Sequence, residues 1–474
     1  MKTFIPAIIA LFCAHSLSAS EPKNILLICI DDLRPELACY GVDYIHSPNI
    51  DSLAAKGRVF KHHYVQAPTC GASRYALLTG RYGPAGNDAL MALGLKLSAN
   101  KSSISSSMPA WFKQHGYTTC SVGKVSHHPA GFGGADWDDQ SQLEMPQSWD
   151  QSMMPSGAWM HPRGAMHGLA NGEIRIKPSA MDVIQAVEGD DSIYPDGLIS
   201  DTAEQQLKAL SKSDKPFFLA VGFIRPHLPF GAPANYLNMY KDTKFPAIPH
   251  PDKPDGVTTW HGSNEFMKYN NWGKDPRQDS KFADEVRRHY AACVSYADAQ
   301  VGKLLASLQE SAADENTIIV LWGDHGWHLG ERAIWGKHSL FEESLHAPLI
   351  ISTPETQSTA GSTDAVVETI DIFPTLCELA KIPTPATLDG TSLVPTFTKP
   401  SQASGRFAVS YKSNAATIRS TSHRLVAHKK GALELYDFTA EDGGSRNCAE
   451  QQPETTQLLL AELKQRLQSF SLKK

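Results

Sequence analysis

The sequence predicts an α/β fold: a large, mostly parallel sheet with helices on both faces, followed by a smaller α+β unit at the C-terminal end. Three observations carry this. Continuous apolar strands alternate with helical segments through the first three quarters of the chain, the pattern of a sheet buried on both faces. Four of those strands run directly into charged or imidazole residues. Beyond Gly405 the pattern changes to closely spaced short strands and one amphipathic helix.

Taken in order, the first residues read as an export signal spanning 1–20. Lys2 supplies the charged start, Phe4 to Cys13 the short apolar core, and Ser18-Ala19-Ser20 the small residues of a cleavage site. Neither this core nor any later apolar run is long enough to span a bilayer, so stable membrane insertion is not expected. Asn24 to Ile30 is the first strand and ends in Asp31-Asp32. Ser47 is placed to cap a helix that Pro48 opens and Gly57 closes. Tyr117 to Val122 is the second strand, after a helix ended by Gly116, and leads to Lys124 and His127. Residues Asp136 to Ile193 show no clear period and are rich in Met, Trp, Gly and His. They read either as a lid or substrate wall near the site or as a packed irregular insertion. Helices over Asp196 to Leu210 and Phe282 to Leu308 show apolar residues at helical spacing. Strands over Phe217 to Phe223 and Thr317 to Trp322 end at Arg225-Pro226-His227 and Asp324-His325. After Leu393 a Pro- and Ser-containing linker runs to Gly405 and separates a main domain, 21–395, from a C-terminal unit, 396–474. That unit has strands over Phe407 to Tyr411, Ala416 to Arg419, Arg424 to His428 and Leu433 to Tyr436, then a helix from about Glu454 to Phe470.

Composition narrows the function. The 44 basic and 50 acidic residues leave a formal charge of −6, which gives no support to nucleic-acid or membrane-surface binding. An anionic substrate must be drawn in by a local cluster of cations. Of eight cysteines, Cys13 leaves with the signal, Cys29 lies inside an apolar strand as a buried thiol, and none forms a CxxC pair.

In sheets of this kind ligands bind beyond the carboxyl ends of the strands, where four strands here deliver polar residues. Asp31 and Asp32 are adjacent acids after a buried strand, and two buried carboxylates need a proton or a cation. Such a pair alone is also compatible with a helix cap or turn. Asp324, at another strand end, adds a third carboxylate, and three oxygen donors suit a hard divalent cation. His325 is a less usual ligand for such an ion. In Cys70-Gly71-Ala72-Ser73-Arg74-Tyr75-Ala76-Leu77-Leu78-Thr79-Gly80-Arg81 a thiol sits at the start of a short helix beside an arginine. Both the helix N-terminus and the guanidinium favour an anion there. A buried structural cysteine and a reactive thiolate remain open as readings.

That segment resembles the signature of type I sulfatases, in which a cysteine is oxidised to Cα-formylglycine. Ile30-Asp31-Asp32-Leu33-Arg34, Gly123-Lys124-Val125-Ser126-His127 and Arg225-Pro226-His227-Leu228-Pro229-Phe230 match the same family. So do Gly323-Asp324-His325-Gly326-Trp327-His328-Leu329-Gly330-Glu331 and Trp335-Gly336-Lys337, and together they look most like the iduronate-2-sulfatase branch. One departure is Ala72, where the signature usually has proline; it bears on which formylglycine-generating enzyme matures Cys70. The resemblance implies an alkaline-phosphatase-like fold and hydrolysis of sulfate esters on a sulfated carbohydrate, a uronic acid or related unit. It implies a divalent cation, calcium, held by Asp31, Asp32, Asp324, His325 and the residue made from Cys70. Arg74 would fix that residue, Lys124 and Lys337 would neutralise sulfate, His227 would serve as acid and His127 as base. His128 competes with His127 for its role, and Trp327 and His328 are either a substrate wall or aromatic groups packed under their loop. Arg34 and Arg225 either meet an acidic sugar or pair with buried carboxylates. An exported protein of this kind would work in the periplasm or outside the cell. Two other readings stand beside it: a phosphate or phosphonate ester hydrolase of the same superfamily, and a non-catalytic sulfoglycan-binding relative.

Overall fold

The four apolar segments that end in polar residues lie side by side at the centre of one sheet. The computed structural model describes residues 22–99, 107–398 and 405–467; the expected export signal at 1–20, part of the expected linker before Gly405 and the end of the expected C-terminal helix, residues 468–470, lie outside these. Eight strands form the sheet, in the spatial order 361–368, 58–64, 349–352, 317–323, 24–30, 217–223, 118–123 and 151–153. Strand Asn24–Ile30 is parallel to both Thr317–Gly323 and Phe217–Phe223, and Thr118–Gly123 is parallel to the latter. Leu349–Ser352 runs antiparallel to both of its neighbours, which makes the sheet mixed.

The alternation of strand Asn24–Ile30 explains why its sequence is apolar from Ile25 onward. Leu26, Ile28 and Ile30 pack into one core with Ile199 and Leu207 of helix Pro195–Leu210 and Val286, Tyr290 and Val294 of helix Ser280–Glu310. Ile25, Leu27 and Cys29 face a second core with Leu77, Phe112, Phe373 and Leu376 from helices on the opposite face. A strand buried on both faces has no position left for a polar side chain. Cys29 accordingly sits as a thiol that burial pushes up to about 12.

Register levels the strand ends. Ile30 pairs with Phe223 on one side and Gly323 on the other. The ladder then continues one residue further, through Asp31 N to Phe223 O (3.2 Å), Asp324 N to Ile30 O (3.2 Å) and Lys124 N to Gly222 O (2.8 Å). Gly222 is required for this close approach, because a Cβ there would lie 2.0 Å from the carbonyl carbon of Lys124. Asp31, Lys124 and Asp324 therefore leave the sheet at one height.

Two local expectations need correction. Ser47 makes no side-chain capping bond to helix Pro48–Ala54; its hydroxyl instead donates to Asp51 Oδ2 at 3.1 Å. The helix also stops at Ala54, three residues before Gly57.

The C-terminal strands Ala408–Tyr411, Ala415–Arg419, His423–His428 and Leu433–Asp437 form an antiparallel meander. One face is covered by helix Pro453–Arg466 through Leu459, Leu460 and Leu463. The other packs on Tyr64, Leu340 and Phe341 of the main body. Glu342 joins the two parts: Oε1 accepts from Tyr64 OH at 2.5 Å, and Oε2 from Arg424 Nη2 at 2.6 Å and Arg419 Nε at 3.3 Å. Burial opposes its ionisation, but Arg419 and Arg424 outweigh that and hold the carboxyl well below the usual carboxylate range.

Glu342→Gln leaves two buried guanidiniums without their shared anion, and is expected to destabilise the protein by about 3 kcal/mol at neutral pH in urea unfolding. Because the folded carboxyl titrates below its unfolded value, this contribution is present above about pH 4.3 and is lost as the pH falls below it. The stability gap between wild type and variant should therefore narrow on acidification; a constant gap would contradict the ion-pair account.

Candidate active site

Cys70 reaches the levelled strand ends from the other side. It opens helix Cys70–Thr79, which follows strand Arg58–Tyr64. Asn87 fixes the helix start, its Oδ1 accepting from Thr69 Oγ1 and Gly71 N, both at 2.9 Å. Gly71 packs so closely on Asn87 that a Cβ would stand 1.9 Å from its carbonyl oxygen. Ser73 Oγ donates to Asp324 O at 2.5 Å. Arg74 completes the clamp: Nη2 pairs with Asp324 Oδ2 at 2.9 Å and Asp31 Oδ1 at 3.3 Å, while Nη1 donates to the carbonyls of Lys124 and Val125.

Around the thiol the sequence candidates converge. Cys70 Sγ is 3.4 Å from Asp31 Oδ1, 3.3 Å from His325 Nε2, 3.5 Å from Lys337 Nζ and 3.9 Å from Lys124 Nζ. Lys124 also pairs with Asp31 Oδ2, and Lys337 with Asp32 Oδ1 at 2.9 Å. Burial and Asp31 push the Cys70 thiol up to about 11, against the pull of the two lysines. The residue as encoded is thus a protonated thiol at neutral pH, unlike an activated thiolate.

The carboxylates show how much charge this place holds. Asp31, Asp32 and Asp324 are fully buried. Burial resists ionisation of Asp31, but Lys124, His227 and Arg74 hold it well below the ordinary value. Asp32 is pushed up to about 7 by burial and by Asp31 in spite of Lys337. Asp324 also reaches about 7, through burial and Asp31. Donor atoms of Asp31, Asp32, Cys70 and His325 all lie within 4.8 Å of one another. Asp324 stands beside this group, with Oδ1 accepting from Asp32 N at 2.9 Å and Oδ2 on Arg74. A buried, oxygen-rich set in which Asp32 and Asp324 need added positive charge to ionise fits a divalent cation.

Two imidazoles flank the cluster. His227 Nδ1 bonds Leu228 O at 2.6 Å, so that nitrogen carries the proton and the Nε2 lone pair is free in the neutral ring. Burial, Lys337 and Lys124 keep His227 well below the usual histidine value. His127, lowered by burial and Lys124, has a buried Nδ1 with no hydrogen-bond partner among the described residues. His128 is taken up by Glu144, which accepts from its backbone at 2.6 Å and meets Nδ1 at 3.0 Å.

Other open readings resolve into packing. Arg34 pairs with Glu331 at 2.7 Å. Arg225 donates to the carbonyls of Gly168, Gly231 and His227, bracing the histidine's loop. Trp327 is buried beneath Lys337, whose Nζ lies 5.4 Å from the ring centre. The 136–193 excursion packs: Trp159, Met166 and Leu169 enter the main core, and His167 lies 5.7 Å from His227, ring to ring.

Three neighbours escaped the sequence. His167 was visible only as part of a His-rich excursion. Glu265, 3.6 Å from Lys337 Nζ and 3.3 Å from His338 Nε2, and Asn87 carry no local signal of their placement.

Comparison with known proteins agrees with this geometry. The family described as Sulfatase matches residues 23–382, and the one described as N-sulphoglucosamine sulphohydrolase, C-terminal, matches 330–473. The human protein named iduronate 2-sulfatase is 33% identical over 412 residues, covering 78% of this chain and 70% of its own. A sulfatase of Formosa agariphila is 29% identical, with 89% and 82% covered. Among solved structures, the phosphonate monoester hydrolase of Agrobacterium radiobacter shares the fold with a TM-score of 0.74 at 20% identity, over 94% of this chain and 95% of that one. An enzyme solved with its substrate D-glucosamine-2-N,6-O-disulfate does so with a TM-score of 0.72 at 20% identity, over 94% and 98%. By the extent of these matches, the chain belongs to the sulfatase family.

Proposed function

We propose that this sulfatase removes O-sulfate from sugar units of an acidic glycan, with a nucleophile made from Cys70. The observation that carries the reading is the position of Cys70 Sγ, within 3.9 Å of two lysine ammoniums and beside three buried carboxylates. Oxidised to formylglycine, residue 70 supplies as its hydrate two hydroxyls on one carbon, one to attack sulfur and one to drive sulfate out. Asp31, Asp32, Asp324 and His325 would hold calcium together with residue 70, and such a cation supplies Lewis-acid polarisation of its oxygen ligands.

The chain's own groups then divide the work. Lys124 and Lys337, whose ammoniums lie 3.9 and 3.5 Å from Cys70 Sγ, would neutralise the sulfate oxygens, where developing charge is greatest. Arg74 holds Asp31 and Asp324 in place and orients residue 70. His227, with Nδ1–H committed to Leu228 O, presents Nε2 to the ester oxygen. It acts as the acid once the incoming sulfate offsets the lysines that keep it neutral. His127 takes the proton in the step that releases sulfate.

Substrate class rests on the relatives. The human relative is named for iduronate and one structural neighbour was solved with a disulfated glucosamine, which supports a 2-O-sulfated uronic acid or related unit. Residues 1–20 would export the chain to the periplasm or beyond, with 21–395 as catalytic domain and 396–474 as C-terminal subdomain. Maturation would fall to a formylglycine-generating enzyme that accepts Ala72.

Side-by-side assays of 4-nitrophenyl sulfate and 4-nitrophenyl phosphate test the reaction: the matured enzyme should turn over the sulfate faster, and faster phosphate turnover would move it to the phosphatase side of the superfamily. Chelation should abolish turnover and lower the melting temperature, and added calcium should restore both, since a ligand bound only by the folded state stabilises it. Full activity and an unchanged melting curve in metal-free protein would contradict the cation's role.

A further inference from the structure

Beside the catalytic cluster lies a second concavity of about 530 Å³, lined by Thr69, Asn87, His338, Tyr411, Lys412 and Lys429 among others. Two of these residues adjoin catalytic candidates in sequence. Thr69 immediately precedes Cys70 and His338 immediately follows Lys337. His338 N donates to Pro68 O at 3.2 Å, which draws the two segments together. The opposite wall comes from the C-terminal sheet. Lys412 follows strand Ala408–Tyr411 and Lys429 follows strand His423–His428. Backbone bonds tie them to one hairpin, Lys412 N to Ala415 O at 2.8 Å and Lys429 N to Asn414 O at 2.9 Å. Tyr411 OH accepts from Gly83 N at 2.6 Å and fixes the loop that carries Asn87.

The charge of this cavity is unbalanced. Among the described residues its lining contains two lysines and no carboxylate, and its histidine, His338, already meets Glu265 at 3.3 Å. Among the described residues no carboxylate lies within 4.0 Å of either ammonium, although the chain as a whole carries a formal charge of −6. Lys412 Nζ donates to the carbonyl of His338, and its burial lowers its pKa. Unpaired, partly desolvated ammoniums are costly unless an anion meets them. Two of them held on rigid strand ends, next to a site built for one sulfate, form a recognition site for a second negative group.

We infer that this cavity binds a second anionic substituent of the substrate, a carboxylate or a further sulfate, through Lys412 and Lys429. The inference rests on the sulfatase reading and deepens it: the enzyme is selective for sugar units that carry another negative charge besides the sulfate it removes. The C-terminal sheet then has a direct part in substrate choice.

The test separates binding from turnover. In calcium-loaded, full-length Cys70→Ala protein, calorimetry compares glucose 6-sulfate, a 2-O-sulfated uronate disaccharide with no other sulfate, and glucosamine 2-N,6-O-disulfate. At least one of the two dianions should bind tighter than glucose 6-sulfate by about tenfold or more, as expected for a charged hydrogen bond. The one that does so identifies the group as carboxylate or sulfate. Adding Lys412→Ala and Lys429→Ala should remove that preference, and Lys412→Arg with Lys429→Arg should restore most of it, which a loss of fold would not do. Equal affinities for all three sugars, or a preference that survives the double alanine variant, would overturn the inference. Failure of the underlying reading shows differently, as an absence of 4-nitrophenyl sulfate hydrolysis by the matured wild-type enzyme.

Discussion

Three carboxylates buried together at the ends of parallel strands set the terms for the rest of this structure. Asp31, Asp32 and Asp324 have no solvent exposure, and charges so placed cost several kcal/mol each unless they are paired and hydrogen-bonded. Arg74, Lys124 and Lys337 supply the opposite charge, each from a different part of the chain. Their positions depend on the register that levels Ile30 with Phe223 and Gly323, and on the helix that brings Cys70 and Arg74 over those ends. The site is thus a property of the whole sheet: shifting any one of these strands by a residue would turn its polar end to the opposite face.

The same constraint explains which parts of the fold were legible. Strands Asn24–Ile30 and Phe217–Phe223 were readable to the residue because burial on both faces favours an apolar run, and the other two central strands to within one, although Thr118–Gly123 admits Thr119 and Ser121, whose hydroxyls bond Ser148 O and Ser152 Oγ. The other half of the sheet hid itself. Strand Arg58–Tyr64 carries Arg58, Lys61, His62 and His63; Lys61 is exposed, while Arg58 Nη2 bonds Thr359 O and the His63 ring bonds Ala347 O and Thr369 Oγ1. Leu349–Ser352 is only four residues long, and its antiparallel direction leaves no mark in the sequence.

For the site, what could be read were groups attached to strand ends or to the helix start, since those elements fix a side chain within a few residues. Asn87, His167 and Glu265 belong to segments whose own pattern says nothing about where they fold. Each reaches the site only because a distant element holds it, as Arg225 does by bonding both Gly168 O and His227 O. The C-terminal sheet is similar. Its strands were visible, but the seating of Lys412 and Lys429 beside the segments of Cys70 and Lys337 is a product of docking through Tyr64, Phe341 and Glu342.

What remains is the chemistry of residue 70 itself. Cys70 and Ala72 are both buried, at 2% and 1% exposure, so an enzyme that oxidises the thiol must reach the segment before the helix is packed over the strand ends. As encoded, the thiol is held in its protonated form by burial and by Asp31, and a thiol in that state has little nucleophilic capacity. Mass spectrometry of the peptide containing residues 70–74, from protein made in its native host, tests this most directly. The account predicts the mass of an aldehyde in place of the thiol at position 70, in a protein active on sulfate esters. An unmodified cysteine in fully active protein would contradict it.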